Sequence, residues 1–310
     1  MIQFLDQLDS FIWGPPLLVL LVGTGIMLTI RLGLIQVTKL PQALKLIFKS
    51  DHSGEGDISS FGALCTALAA TVGTGNIIGV ATALAAGGPG ALFWMWFAAF
   101  FGMATKYAEG VLAIKYRQLD ENGQVAGGPM YYITNGMGEK FKPLAIFFAF
   151  SGVLVALFGM GTFTQVNAIT SSIENTLHLP AEGVGIVLAL LVGIITFRGI
   201  NSISKVAEKV VPVMAACYLI ICVTILVINH ASLLPAFELI FKSALTPTAA
   251  VGGFTGATVA MAIRNGVARG VFSNESGLGS APIAAAAAKT EWAAEQGLIS
   301  MTGTFIDSLI

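Results

Sequence analysis

Charge is what this sequence has least of. Of its 310 residues only 11% are Asp, Glu, Lys or Arg, against about 25% in a soluble globular chain. A soluble enzyme of this length would lack the polar surface needed to cover its core. Basic excess is absent as well. The net charge is −1, so no cationic face for nucleic acid is expected. Histidine is confined to His52, His178 and His230, and cysteine to Cys65, Cys217 and Cys222. The cysteines sit in apolar runs without metal-ligand spacing, and their odd number offers no disulfide framework. They read as packing residues. No His-Glu-x-x-His, paired aspartate or Ser–His arrangement falls in an apolar segment, so the expectation is a non-enzyme.

What is present is hydrophobicity and glycine. Hydrophobic residues make up 55% of the chain, and there are 36 glycines. The mean hydropathy is +0.82. These values exclude disorder and point to an all-α polytopic membrane protein, with the lipid bilayer as its surroundings. A crossing needs about 20 mostly apolar residues. The expected spans begin with Pro15–Gln36. The charge-free run Ile58–Thr105 is too long for one crossing, and Gly87-Gly88-Pro89-Gly90 divides it in two. Further spans are expected over Pro143–Thr170, Leu179–Phe197 and Val210–Asn229. The Gly/Thr/Ala-rich stretch 243–263 stays open in topology. An interrupted seventh helix covers Asn265–Ala288, and an eighth runs from Ala294 to Ile310.

Basic residues orient the spans. The loops after the first, third and fifth helices carry Arg31, Lys39, Lys45 and Lys49, then Lys106, Lys115, Arg117, Lys140 and Lys142, then Arg198, Lys205 and Lys209. The even loops carry Lys242 alone. The odd loops should face the cytoplasm, which puts the N-terminus outside a plasma membrane. Arg264 and Arg269 run against this trend. Trp94 and Trp96 read as interfacial anchors.

Two segments should be unwound. Thr71-Val72-Gly73-Thr74-Gly75-Asn76 places two glycines and an asparagine in mid-helix. Lipid offers no replacement hydrogen bonds there. The segment is either a close helix-packing site or a break that lines a polar cavity. The second stretch runs from Phe272 to Pro282, with Gly277, Gly279 and the carboxylate of Glu275 inside an apolar run. An ionised group at the bilayer centre costs about 2.5–3.5 kcal/mol on the mildest scale. Glu275 is therefore expected either in an ion pair with Arg264 or Arg269 or facing a cavity. Two interrupted helices in corresponding halves point to the binding site of a secondary transporter. Half-helix N-termini suit a carboxylate, and unwound carbonyls suit a hard cation. A zwitterionic amino acid with Na⁺ satisfies both. Gln165 could reach the same cavity or make an interhelical hydrogen bond.

Three stretches carry a family resemblance. They are Gly88-Pro89-Gly90-Ala91-Leu92-Phe93-Trp94-Met95-Trp96 running on to Gly102, Gly127-Gly128-Pro129-Met130-Tyr131-Tyr132, and Phe272-Ser273-Asn274-Glu275 through Pro282. The chain resembles the alanine or glycine:cation symporter family, the sodium:alanine symporters, over essentially its whole length. Ala285 departs from it, at a position where many relatives are expected to carry histidine.

The resemblance implies the leucine-transporter fold of two inverted five-helix repeats. Val72-Gly73-Thr74-Gly75-Asn76 and Phe272 with Gly277 and Gly279 are also similar to the substrate-binding helices of the neurotransmitter:sodium symporters. Backbone amides at Thr74 and Gly75 are then expected to hold the substrate carboxylate. Carbonyls of Ala69 and Val72 would help bind sodium. Thr71, Asn76 and Ser273 would lie near the substrate amine or a second ion site. Phe272 would close over the substrate, and Gly277 joins the substrate-binding set.

Within a single transmembrane domain, 1–57 would form an N-terminal helix and cytoplasmic loop, 58–230 the first repeat, and 249–310 the start of the second. A fold with ten core helices would leave that second repeat incomplete. The chain is therefore expected to be a C-terminally truncated part of a longer symporter. The activity implied is sodium-coupled symport of a small neutral amino acid, alanine or glycine, by alternating access. The alternative is a proton-coupled carrier of the same fold with Glu275 titrating.

Overall fold

Backbone hydrogen bonding sets the architecture. In a chain this apolar each segment must satisfy its own amides and carbonyls, and helices do so. The computed structural model describes residues 2–48, 54–158, 160–246 and 258–310. Helices α1 (Ile2–Ile12) and α2 (Pro15–Arg31) are followed by the short α3 (Ile35–Thr38) and α4 (Leu40–Ile47). Next come α5 (Ser60–Thr71), a π turn at Gly75–Gly79 and α6 (Val80–Gly87), a broken unit bent by 51°. A long α7 (Gly90–Lys115) follows, then strands β1 (Gln118–Leu119) and β2 (Val125–Ala126), paired antiparallel, and α8 (Pro129–Tyr132). The chain continues through α9 (Lys142–Phe158), α10 (Met160–Leu177), α11 (Ala181–Thr196), α12 (Ile200–Ile228) and α13 (Leu233–Leu245). It ends with α14 (Val259–Asn274), α15 (Ala281–Ala286), α16 (Ala293–Thr304) and a π turn at Phe305–Leu309.

Among the described residues, α7, the stretch Glu139–Leu177 and α12 are each long and apolar enough to cross a membrane, and α5 with α6 qualifies as a bent pair. The shorter α2 and α11 are apolar helices below that length. The expected fourth span therefore extends to Leu177. Much of the stretch 243–263 lies outside the described residues.

α7 is the centre of the packing. It lies against α14, α16 and α2. Of its apolar stretch 56% is buried, against 6% for α12. Ala98 of α7 packs on Val267 and Val271 of α14. Leu64, Cys65 and Leu68 of α5 meet Ala207 and Val211 of α12 and Ile299 of α16. Cys65 is thus a packing residue, whereas Cys217 is exposed on α12.

Two expected boundaries move. α7 runs past Thr105 to Lys115, so Lys106 is a buried helix residue and not part of a loop. α12 begins at Ile200 and takes Lys205 and Lys209 into its first turns. In both cases a charge that reads as loop in a hydropathy scan sits on a helix. At one end of the molecule Arg117 draws segments together. It donates to the carbonyls of Glu55 (2.5 Å), Ala288 (2.7 Å) and Ala286 (2.9 Å). Its rigid fork suits several carbonyls at once. Burial pulls this guanidinium below its ordinary range, and the carboxylates of Glu55 and Asp57 pull it back up.

The α7–α16 crossing depends on Gly297. A Cβ there would lie 2.9 Å from the Tyr107 carbonyl oxygen and 3.0 Å from its ring. Gly23 of α2 has nothing within 4 Å of the same position. Gly297→Ala is expected to cost about 1–3 kcal/mol by overpacking, while Gly23→Ala stays within about 0.5 kcal/mol. Thermal unfolding in detergent measures both. Equal midpoints for the two variants would contradict the crossing.

Candidate substrate and cation site

α5 stops because Val72 turns to extended backbone, φ −77° and ψ 100°. The Gly73 N–H then donates to Asn76 Oδ1 at 2.8 Å. In a continuing helix it would have bonded the Ala69 carbonyl, which is thereby freed from that partner. The Thr74 amide makes no backbone hydrogen bond among the described residues. The segment is therefore a break in the helix, and its glycines also pack closely on Ser273 and Gln165.

The second break follows α14. Its last residue is Asn274, and Glu275 takes a left-handed conformation with φ 55°. The Glu275 carboxylate accepts a short hydrogen bond of 2.5 Å from Ser280 Oγ. Among the described residues it pairs with neither Arg264 nor Arg269.

The two breaks meet at Asp307, in the π turn after α16. Asn76 Nδ2 donates to Asp307 Oδ1 at 3.0 Å and to its backbone carbonyl at 2.9 Å. Ser273 Oγ donates to Asp307 Oδ2 at 3.0 Å, and Ser308 Oγ donates to the same oxygen at 2.7 Å. Asp307 is buried. An anion at such depth is expensive without partners, and here each oxygen has at least one donor. Gly75 lies directly across from Ser273. A Cβ built on it would stand 3.4 Å from Ser273 Oγ. Asn76, Ser273 and Asp307 line one cavity with Val72, Trp96 and Tyr218.

The structure gathers some of the expected residues and separates others. Val72, Gly75, Asn76 and Ser273 come together around Asp307. Gln165 reaches the first break, with its amide 3.6 Å from the position of a Cβ on Gly73. Thr74 lies at the start of the π turn. Thr71 faces a different, smaller cavity, shared with Lys106 and Asn274. Gly277 lies inside the second break, with φ 87°, and does not line the Asp307 cavity. Phe272 is 42% exposed and does not line the cavity. Trp96 does line it, whereas Trp94 donates from Nε1 to the Ala244 carbonyl at 3.1 Å. Asp307 was the residue that sequence reasoning left out of the site. Its signal was there, as a carboxylate inside an apolar run.

This arrangement defines a class: an integral membrane protein whose two broken helices face one buried carboxylate. Comparison with known proteins narrows it. The family model described as the sodium:alanine symporter family matches residues 1–310, and the chain belongs to that family. It is 58% identical over 308 residues to an uncharacterized transporter of Haemophilus influenzae, covering 99% of this chain and 67% of that protein. It is 52% identical over 313 residues to the sodium/alanine symporter AgcS of Methanococcus maripaludis, covering 100% of this chain and 68% of that one. The putative sodium/proton-dependent alanine carrier protein YrbD of Bacillus subtilis is 40% identical over 309 residues, with 100% and 62% covered. The chain thus spans about two thirds of the length of these relatives.

The contact of the breaks is open to chemical test. The built Cβ on Gly75 is 3.6 Å from Ser273 Cβ, within the disulfide range. With Cys65, Cys217 and Cys222 replaced, Gly75→Cys with Ser273→Cys should form a disulfide on mild oxidation. Thiol titration and intact mass read it. Two thiols that stay free under oxidant would place the breaks apart.

Proposed function

We propose that this protein is a sodium-coupled symporter for a small neutral amino acid, alanine or glycine, working by alternating access in the plasma membrane with its N-terminus outside. The observation that carries the reading is Asp307, bonded at once by Asn76 of the first break and Ser273 of the second. The amides of Thr74 and Gly75 would take the substrate carboxylate at the N-terminal end of a half-helix. Carbonyls of Ala69 and Val72, with oxygens of Asn76, Ser273 and Asp307, would serve sodium. Two carbonyls are too few for a hard cation, and Asp307 adds the anionic oxygen that the expected set lacked. Thr71 would act from the neighbouring small cavity. Gln165 would approach the bound amino acid from the α10 side, with Gly277 and Phe272 shaping the second break. The fold is read as a leucine-transporter-like inverted repeat, with a first repeat over 58–230 and a second beginning near 249.

The names of the relatives support this reading, since AgcS is a sodium/alanine symporter. Coupling to protons is the second reading, favoured by the relative named for sodium and protons together. Counterflow of labelled alanine in proteoliposomes, with sodium replaced by choline, separates the two. Sodium coupling predicts that exchange stops in choline at any pH. It further predicts that Asp307→Asn raises the sodium concentration needed for half-maximal exchange by about tenfold, the scale of one hydrogen-bonded charge. Undiminished exchange in choline would overturn the sodium reading.

A further inference from the structure

Two buried charges on α7 have no part in the site described so far. Lys106 and Glu109 lie three residues apart on one face of α7, and both are buried. The Lys106 ammonium donates to the backbone carbonyl of Asn274 at 2.8 Å. That carbonyl is at the C-terminal, negative end of α14, where the dipole favours a cation. One turn along α7, the Glu109 carboxylate is buried on the same helix. Among the described residues its Oε2 has no hydrogen-bond partner. The ammonium thus holds the last carbonyl before the break, the six residues that join α14 to α15.

The path continues to the Asp307 cluster. Asn274 Nδ2 donates to Ser308 Oγ at 3.0 Å, and Ser308 Oγ donates to Asp307 Oδ2 at 2.7 Å. Asn274 Oδ1 accepts from the Ser276 amide at 3.0 Å. Asn274 is 1% exposed. The residue gripped by Lys106 is therefore the residue that positions Ser308 against the carboxylate. On its other side Lys106 borders the small cavity with Thr71, the last residue of α5. Lys106 stands between the ends of both broken helices.

We propose that Lys106 and Glu109 are positioning residues of the transport site: a tethered cation and its counter-charge that clamp the α14–α15 break in the shape the amino acid binds. The ammonium fills the negative end of α14, so a free coupling ion is not needed at that end. The cation site at Asp307 stays separate from it. This inference rests on the reading of the protein as an amino-acid symporter.

Removing one member of a buried pair leaves the other charge uncompensated, and removing both does not. That difference separates a positioning role from a folding role. The full chain with Lys106→Met, with Glu109→Gln, and with both changes is purified in detergent. Thermal unfolding and calorimetric titration with alanine at saturating sodium are measured on each. Each single variant should unfold at lower temperature, and the double variant should recover most of the loss. Alanine affinity should fall about tenfold or more in all three, since the break has lost its clamp in each. Where the singles do not fold, the double variant carries the test. A double variant that regains wild-type alanine affinity along with its stability would overturn the proposal, as would a Lys106→Met protein that binds alanine normally. A wild-type protein that binds neither alanine nor glycine would instead refute the symporter reading, before any variant is compared.

Discussion

A helix that stops inside a membrane exposes amides and carbonyls where no water can satisfy them. The site described here depends on how this chain meets that constraint. At the first break Asn76 supplies the acceptor that Gly73 lost and donates its amide to Asp307. At the second, Lys106 takes the terminal carbonyl of α14, with Glu109 buried one turn along α7. The Lys106 side chain from α7 thus completes backbone that α14 leaves unfinished, and Asp307 after α16 holds the Asn76 that does so for α5. The central place of α7 follows from the same need, since it packs on both α14 and α16 and carries two of the charges.

The charges around the breaks are unequal in sign. Three carboxylates, Glu109, Glu275 and Asp307, and one ammonium, Lys106, sit on the elements that meet at the breaks. Glu275 is bonded to Ser280 in the loop of the second break, and Asp307 gathers Asn76, Ser273 and Ser308. Buried anions in excess are tolerated only with donors or a cation at hand. Neutral donors meet part of that demand, and on our proposal a sodium ion meets the rest when the transporter is loaded. On that proposal the site has its greatest affinity for a cation and an amino acid together, which is the thermodynamic root of coupled transport.

Much of this was legible in the sequence because breaks have a local signature. Gly73, Gly75 and Asn76 in a charge-free helix, and Gly277 with Gly279 and Pro282 in another, located both interruptions. Asn76 and Ser273, both expected near the substrate amine or a second ion site, each bond Asp307. The role of α7 was not legible. Lys106 and Glu109 end an apolar run, and a hydropathy scan reads such residues as the start of a loop. The partner of Lys106 is a backbone carbonyl 168 positions away, and nothing local announces it. Asp307 was visible as a charge in an apolar span, but only the fold shows that it touches both breaks. The placement of Phe272 and Gly277 away from the cavity has the same origin, since a motif fixes residue types and not the face each one presents.

The account stands on a single linkage between ion and amino acid at the Asp307 cluster. Isothermal titration of alanine into the purified protein, in sodium and in choline, tests it most directly, together with titration of sodium with and without alanine. The prediction is that sodium tightens alanine binding, that alanine tightens sodium binding by the same factor, and that both effects vanish in Asp307→Ala. Alanine binding of equal affinity in sodium and in choline would contradict the account.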